Sequence, residues 1–292
     1  MIDTVISLSS IPPRFGGLLP TLTSLLQQEL PAREIRLNIP HAYRRFPDWD
    51  RRLPDVPAGI TIHRCEEDLG PATKVLPTAK DLRGHDVDIL FCDDDKIYDP
   101  DWHARFKAQA RLRPNTCIVE AGETFPDIAD THRPPDRLPR ATRRQKGLGY
   151  RLFRIATLGL IKPGQYRNSG YVDQISAWSG VLVRPDWFSD EAYDIPDILW
   201  TVDDPWLSGH LEMNGIPIWL NARSKQVASA DIGTIDALLK HVENGHGRVE
   251  ADLAAISYFR RRWNIWKKAG PVTHLNGMTT SMKALSLADQ EP

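Results

Sequence analysis

Cysteine is scarce in this chain. Three residues, Cys65, Cys92 and Cys117, are spread through 292 positions with no CxxC pair. No zinc site is suggested, and an odd, sparse count fits a reducing cytoplasm. Net charge is almost absent at −1, with 37 basic against 38 acidic residues, which gives no support to bulk nucleic-acid binding. No stretch reaches the roughly 20 apolar residues needed to cross a bilayer. There is no basic-then-apolar leader either, because Met1-Ile2-Asp3 runs straight into the strand-like Thr4-Val5-Ile6-Ser7-Leu8-Ser9. These absences lead us to expect a cytoplasmic protein, with contact at the inner face of the membrane left open. No internal repeat is present.

What is present is an alternation of strand and helix signals. Hydrophobic content of 41% and charged content of 26% suit a soluble globular chain. Strands are expected over 5–8, 34–39, 60–63, 87–92, 117–119, 179–183 and 216–220. Helices are expected over 18–28, 71–82, 101–112, 205–214, 235–242 and 250–262, from apolar spacing such as Leu18, Leu22, Leu25 and Leu26. The β-α-β-α order argues an α/β fold with a mostly parallel, doubly wound sheet and helices on both faces, as a single large domain. Residues 1–122 form its first half and 176–270 its second. Between them, 123–175 reads as an insertion rich in Arg, Pro and Gly, a flexible basic loop region expected to be partly mobile. Residues 271–292 read as a loose tail.

The most informative stretch is Val87-Asp88-Ile89-Leu90-Phe91-Cys92-Asp93-Asp94-Asp95. A buried-strand pattern ends in three carboxylates, at the sheet edge where open α/β folds bind ligands. Three like charges there are hard to desolvate unless a cation neutralises them. Carboxylate oxygens suit Mg²⁺ or Mn²⁺, ions usually shared with substrate phosphates. The plainer alternative is a charged turn, which rarely needs three acids with nothing basic before Lys96. Two basic groups, Arg133 to Arg154 and Arg260-Arg261-Arg262 with Lys267-Lys268, are either solvated faces or surfaces for an anionic acceptor, a phospholipid surface or a diphosphate.

Four segments between the first strand and about residue 266 together resemble glycosyltransferases of the GT-A fold, close to the large family-2-like group. They are ISLSSIPPRF, Asp68-Leu69-Gly70-Pro71-Ala72-Thr73-Lys74, the Asp-x-Asp motif within CDDDKIYDPDW, and the pair SGVLVRPDWF and VDDPWLSGHL. The resemblance implies a nucleoside-diphosphate sugar donor, a saccharide or glycolipid acceptor, a Mn²⁺ or Mg²⁺ cofactor, and work in bacterial surface glycan synthesis. It assigns Ser9, Arg14, Asp68, Lys74, Asp93 and Asp94 to the nucleotide side. Asp95 becomes a direct metal ligand and Asp93 a second ligand or ribose contact. Asp94 takes either part, since DDD permits two registers. Asp203 and Asp204 become the acidic pair near the acceptor, with Asp204 as the base that deprotonates its hydroxyl. A side chain of this pair could instead cap the helix expected from Pro205. The family often has Glu-Asp here, so Asp-Asp shortens the first side chain. Ser179, Gly180, Trp178 and Trp206 are expected to line the acceptor pocket. A late histidine often completes such metal sites, and His246 is taken ahead of His241 and His274.

Two rival readings remain. A sugar-nucleotide nucleotidyltransferase also uses carboxylate-bound Mg²⁺, but generally carries a Gly-rich basic loop after its first strand. Here SSIPPRFGG has one Arg and no Gly-x-Gly run. A non-catalytic carbohydrate-binding protein would not need three carboxylates at a strand end and a second acidic pair.

Overall fold

A computed structural model describes residues 2–144, 147–158, 160, 164–225, 227–236, 247–270 and 278–287. Eight strands among them make one sheet: β1 (Asp3–Ser9), β2 (Glu34–Pro40), β3 (Ile60–Cys65), β4 (Val87–Phe91), β5 (Cys117–Val119), β6 (Gly170–Val172), β7 (Val181–Val183) and β8 (Ile218–Leu220). Their spatial order is β6-β8-β5-β7-β4-β1-β2-β3. Neighbours β1–β2, β1–β4, β2–β3 and β5–β8 run parallel, while β7 lies antiparallel between β4 and β5, and β6 antiparallel on β8. The chain is thus α/β with a mostly parallel sheet, as its alternating signals led us to expect.

The strand period of two sorts apolar side chains onto two faces. Ile89 and Phe91 of β4, Val181 and Val183 of β7, and Cys117 and Val119 of β5 join one core. Leu90, Leu182 and Ile118, their alternates, join the other. Helices α1 (Leu19–Leu26) and α3 (Trp102–Leu112) cover this second face through Leu22, Leu25, Trp102 and Phe106. The first is covered by α2 (Leu76–Asp81), α5 (Asp204–Met213) and α6 (Arg248–Trp263). Helix α4 (Leu148–Ala156) stands outside both cores.

Three expectations are corrected. The helix over 71–82 is split into a 3₁₀ turn, Gly70–Lys74, and α2. Pro77 explains the break: it has no N–H to bond back to Thr73, so it fits only at the start of a new helix. The tail is not loose throughout. Thr280–Leu287 forms α7, with Met282 and Leu285 buried in the first core and Ser281 Oγ donating to Asp252 Oδ2 at 2.5 Å. Much of 123–175 is also tied down. Gly122–Glu123 pairs with Gln174–Ile175, Tyr166 Oη donates to Gly122 O at 2.7 Å, and Arg133 and Arg140 converge on buried Asp173. Ion pairs and backbone bonds hold these parts of the segment, and such pairing leaves no apolar period of its own in the sequence. The helix expected over 235–242 falls mostly outside the described residues.

Candidate active site

Because β1, β3 and β4 are parallel, their carboxyl ends open on one edge. Antiparallel β7 begins at that edge, with Val181 opposite Phe91, so the turn before it, Ala177–Ser179, faces the aspartates. A cavity of about 440 Å³ lies there. Its walls include Ser9, Asp68, Lys74 and Asp93–Asp95 from the first half, and Trp178, Asp203 and Asp204 from the second. The lining therefore joins most of the residues picked out by the sequence.

The three aspartates are not equivalent. Asp94 is buried with both oxygens engaged, Oδ1 by Arg14 Nη1 at 2.7 Å and Oδ2 by Ser10 Oγ at 2.5 Å. Its carbonyl accepts from Thr21 Oγ1 at 2.8 Å. Burial pushes its carboxyl above the usual range, with Arg14 and Ser10 opposing. Asp94 thus fastens the loop to the wall, and Arg14, whose Nε also donates to Ile235 O at 2.9 Å, is committed to the same task. Asp93 instead pairs with Lys74 Nζ. Burial would raise its carboxyl, but Lys74 outweighs this and holds it below the usual range. Asp95 pairs with Lys96 at 2.8 Å, and the loop is strapped from above: Ala228–Ser229 pairs with Lys96–Ile97, and Ala230 N donates to Asp95 O at 2.8 Å.

Lys74 joins the two halves of the site. The backbone beneath it is pinned by Ser7 Oγ, which donates to Lys74 O at 2.6 Å and is itself bonded by Asn38 Nδ2 at 3.0 Å. Its ammonium reaches Asp93 and, at 2.9 Å, Asp203 Oδ2. Burial alone would lower the Lys74 pKa. Asp203, Asp93 and Asp204 reverse this and hold it above the usual lysine range. The turn leading to Lys74 depends on Gly70, at φ +58°, where a Cβ would sit 2.4 Å from Trp200 O. Asp68 stabilises that turn by accepting from Gly70 N at 3.0 Å and Arg44 N at 2.8 Å.

Asp203 occupies the N-cap position of α5 but makes no side-chain capping bond, and Asp204 is the first helical residue. Neither carboxylate serves as a cap. Asp204 Oδ1 accepts from Ala177 N at 3.0 Å, and Oδ2 lies 3.6 Å from Arg248. Burial, reinforced by Asp203 alongside, raises the Asp204 carboxyl well above the ordinary range, with Arg248 and Lys74 opposing. A carboxylate so placed can accept a proton near neutral pH.

The fit to a metal rests on Asp95 Oδ1. It is buried, and its contact with Lys96 lacks hydrogen-bond alignment. Among the described residues no three His, Cys, Asp or Glu side chains converge as a metal cage. A Mg²⁺- or Mn²⁺-type ion needs only one or two carboxylates when phosphate oxygens and water complete its shell. Asp95 and Asp93 supply that kind of donor set. His241, His246 and His274 lie outside the described residues.

Trp178 lines the cavity, but three other acceptor-side expectations are corrected. Trp206 is 1% exposed, packs against Phe259 at 5.4 Å between ring centroids, and donates Nε1–H to Ala192 O at 2.9 Å. It has no face to offer a sugar and belongs to the core. Ser179 is buried, with Oγ donating to Ser176 O at 3.2 Å and its carbonyl accepting from Trp102 Nε1 at 2.8 Å. Gly180, at φ +101°, lies where a Cβ would be 2.5 Å from the Trp102 ring. Both serve to pack the turn on α3, and neither is among the cavity-lining residues. Sequence reasoning missed Ser10, Tyr43 and Arg248, which do line the cavity. Arg248 carried one signal: a cation in the first turn of a helix opposes the helix dipole and calls for a nearby acid.

No protein-family model matches the chain, and neither does any curated protein. Among solved structures it is similar to S. aureus TarS. Against one crystal structure of TarS the identity is 12% and the TM-score 0.43, covering 92% of this chain and 44% of that one. Against TarS 1–349 with UDP-GlcNAc they are 13% and 0.42, covering 78% and 58%. With UDP they are 11% and 0.41, covering 77% and 60%. This chain thus spans less than two thirds of those three structures, and a likeness at these scores carries no functional argument.

Proposed function

We propose that this protein is a glycosyltransferase that moves a sugar from a nucleoside-diphosphate donor to a saccharide or glycolipid acceptor. One observation carries the reading. Asp93 and Asp203, 110 positions apart in sequence, share Lys74 across a single cavity, with Asp204 alongside and raised in pKa. An acidic edge able to hold a cation for a diphosphate and a proton-accepting carboxylate are the two groups that an inverting glycosyl transfer uses.

Lys74 and Lys96 offer positive charge to a diphosphate, and Asp204 would take the proton of the acceptor hydroxyl. Trp178 lines the cavity on the acceptor side. A divalent ion held by Asp95 and Asp93, when bound, would neutralise the charge that builds on the departing diphosphate.

A thermal-shift panel of nucleoside diphosphates and their sugar conjugates, with and without Mn²⁺, tests this reading. At a hundred times Kd a ligand adds about 2.7 kcal/mol of stability. One nucleotide family should therefore raise Tm by several degrees, and more with Mn²⁺ present. A donor so identified should release its nucleoside diphosphate when acceptor is added. Pyrophosphate release from a nucleoside triphosphate would instead favour nucleotidyl transfer, and stabilisation by free sugars alone would favour a binding protein.

A further inference from the structure

Helix α4 presents an apolar face that nothing in the described structure covers. Leu148, Leu152 and Ile155 are 74%, 57% and 71% exposed, and Leu158 just beyond is 86% exposed. Positions 148, 152 and 155 follow the i, i+4, i+7 spacing of one helical stripe. Arg151 falls along the border of that stripe and is exposed. The surrounding charge has one sign: no Asp or Glu stands between Asp136 and Asp173, while nine Lys or Arg do.

Part of that positive charge is neutralised internally. Arg140 pairs with Asp173 and Arg143 with Glu123. Those pairs root the base of the segment, whose strands Thr142–Arg143 and Tyr166–Asn168 pair with one another. Arg151 and Arg167 remain on the exposed side. An apolar stripe bordered by arginine and free of acids matches the interfacial zone of a bilayer with anionic headgroups. A second copy of this chain is disfavoured, because a symmetric contact would set the same positive patch against itself. The stem also leads to the active site, since Glu123 pairs with Gln174 and the chain continues from there to Ala177 in the cavity wall.

We infer that α4 is a peripheral membrane anchor, seating Leu148, Leu152 and Ile155 in the headgroup–acyl boundary of an anionic bilayer with Arg151 among the phosphates. No helix of the described residues is long and apolar enough to span a membrane, so the contact lies in the interface plane.

The test is co-sedimentation of the full chain with two kinds of vesicle, phosphatidylcholine alone and roughly equal parts phosphatidylcholine and phosphatidylglycerol. Binding should be at least tenfold stronger to the anionic vesicles. It should weaken at least tenfold near 1 M NaCl, where the Debye length is about 3 Å. Leu152→Asp and Ile155→Asp should each reduce binding about tenfold or more, and Arg151→Glu about fivefold or more, with unchanged far-UV circular dichroism. Leu152→Phe should retain binding. Equal affinity for both vesicles, no binding to either, or wild-type binding by Leu152→Asp overturns the inference. So does conversion of a dimer to a monomer by that substitution, which would assign the face to a second copy. None of these readouts passes through sugar transfer, so the anchor stands or falls separately from the proposed activity.

Discussion

Asp204→Asn is expected to lower kcat about 10³-fold while leaving the Kd for the donor within twofold of wild type. The size follows from the usual contribution of a positioned general base, about 10²–10⁴-fold. The selectivity follows from geometry: Asp204 bonds to Ala177 N and faces Arg248, whereas Asp93 and Asp95 lie on the acidic edge assigned to the diphosphate. The same substitution should raise Tm at pH values above the raised pKa of the Asp204 carboxyl. The folded-state pKa of Asp204 lies above its unfolded value, so the folded state binds more protons through the window between the two. Its contribution to stability is present below that window and is lost as pH rises through it. Above the folded pKa the buried charge is a net burden that asparagine removes. In the wild type, kcat/KM should rise with pH through the same raised pKa, because the base must be ionised. Calorimetry for donor binding, steady-state kinetics and a melting curve check all three points. Turnover unchanged in Asp204→Asn would remove it as the base.

Lys74→Met should be the most damaging single change to the architecture of the site. The lysine is 10% exposed at its side chain and is the shared partner of Asp93 and Asp203. Removing one partner of a buried ion pair typically costs about 3–5 kcal/mol, because the remaining charge is left uncompensated. For a chain of this size that implies a Tm drop on the order of 10 °C. A second signature distinguishes electrostatics from packing. Without Lys74, one of the cations opposing the upward shift of Asp204 is lost, so the pH–rate profile should move to higher pH. In Lys74→Met combined with Asp203→Asn, part of the lost stability should return, since one stranded carboxylate has been neutralised. Strict additivity of the two changes would contradict the shared-partner geometry.

Much of the fold was legible because buried strands and amphipathic helices carry strong periodic signals. Val87–Phe91 running into acids located β4 and the end that lines the cavity without any tertiary information. Lys74, Asp203 and Asp204 were legible as charged groups beside turns. The register of Asp93-Asp94-Asp95 was not. What silences Asp94 is Arg14 and Ser10, about 80 residues upstream, and pairing over that distance leaves no local pattern. Trp206 was misread for a related reason: an aromatic beside an acidic pair looks the same in sequence whether it faces a sugar or Phe259. Arg133 and Arg140 were read within a basic group that is either a solvated face or a surface for an anion, yet they close on Asp173 in the interior, since composition records charge but not its partners.

The proposed activity requires that the edge formed by Asp93 and Asp95 receive a cation and a diphosphate. The direct measurement is a crystal structure grown with Mn²⁺ and the nucleoside diphosphate chosen by thermal shift, with anomalous diffraction recorded at the manganese edge. The expected result is an anomalous peak beside Asp95 and the bound diphosphate, with Lys74 on the same side and Asp204 free for the acceptor. Nucleotide bound elsewhere, or manganese absent from this edge in crystals that hold the nucleotide, would contradict it.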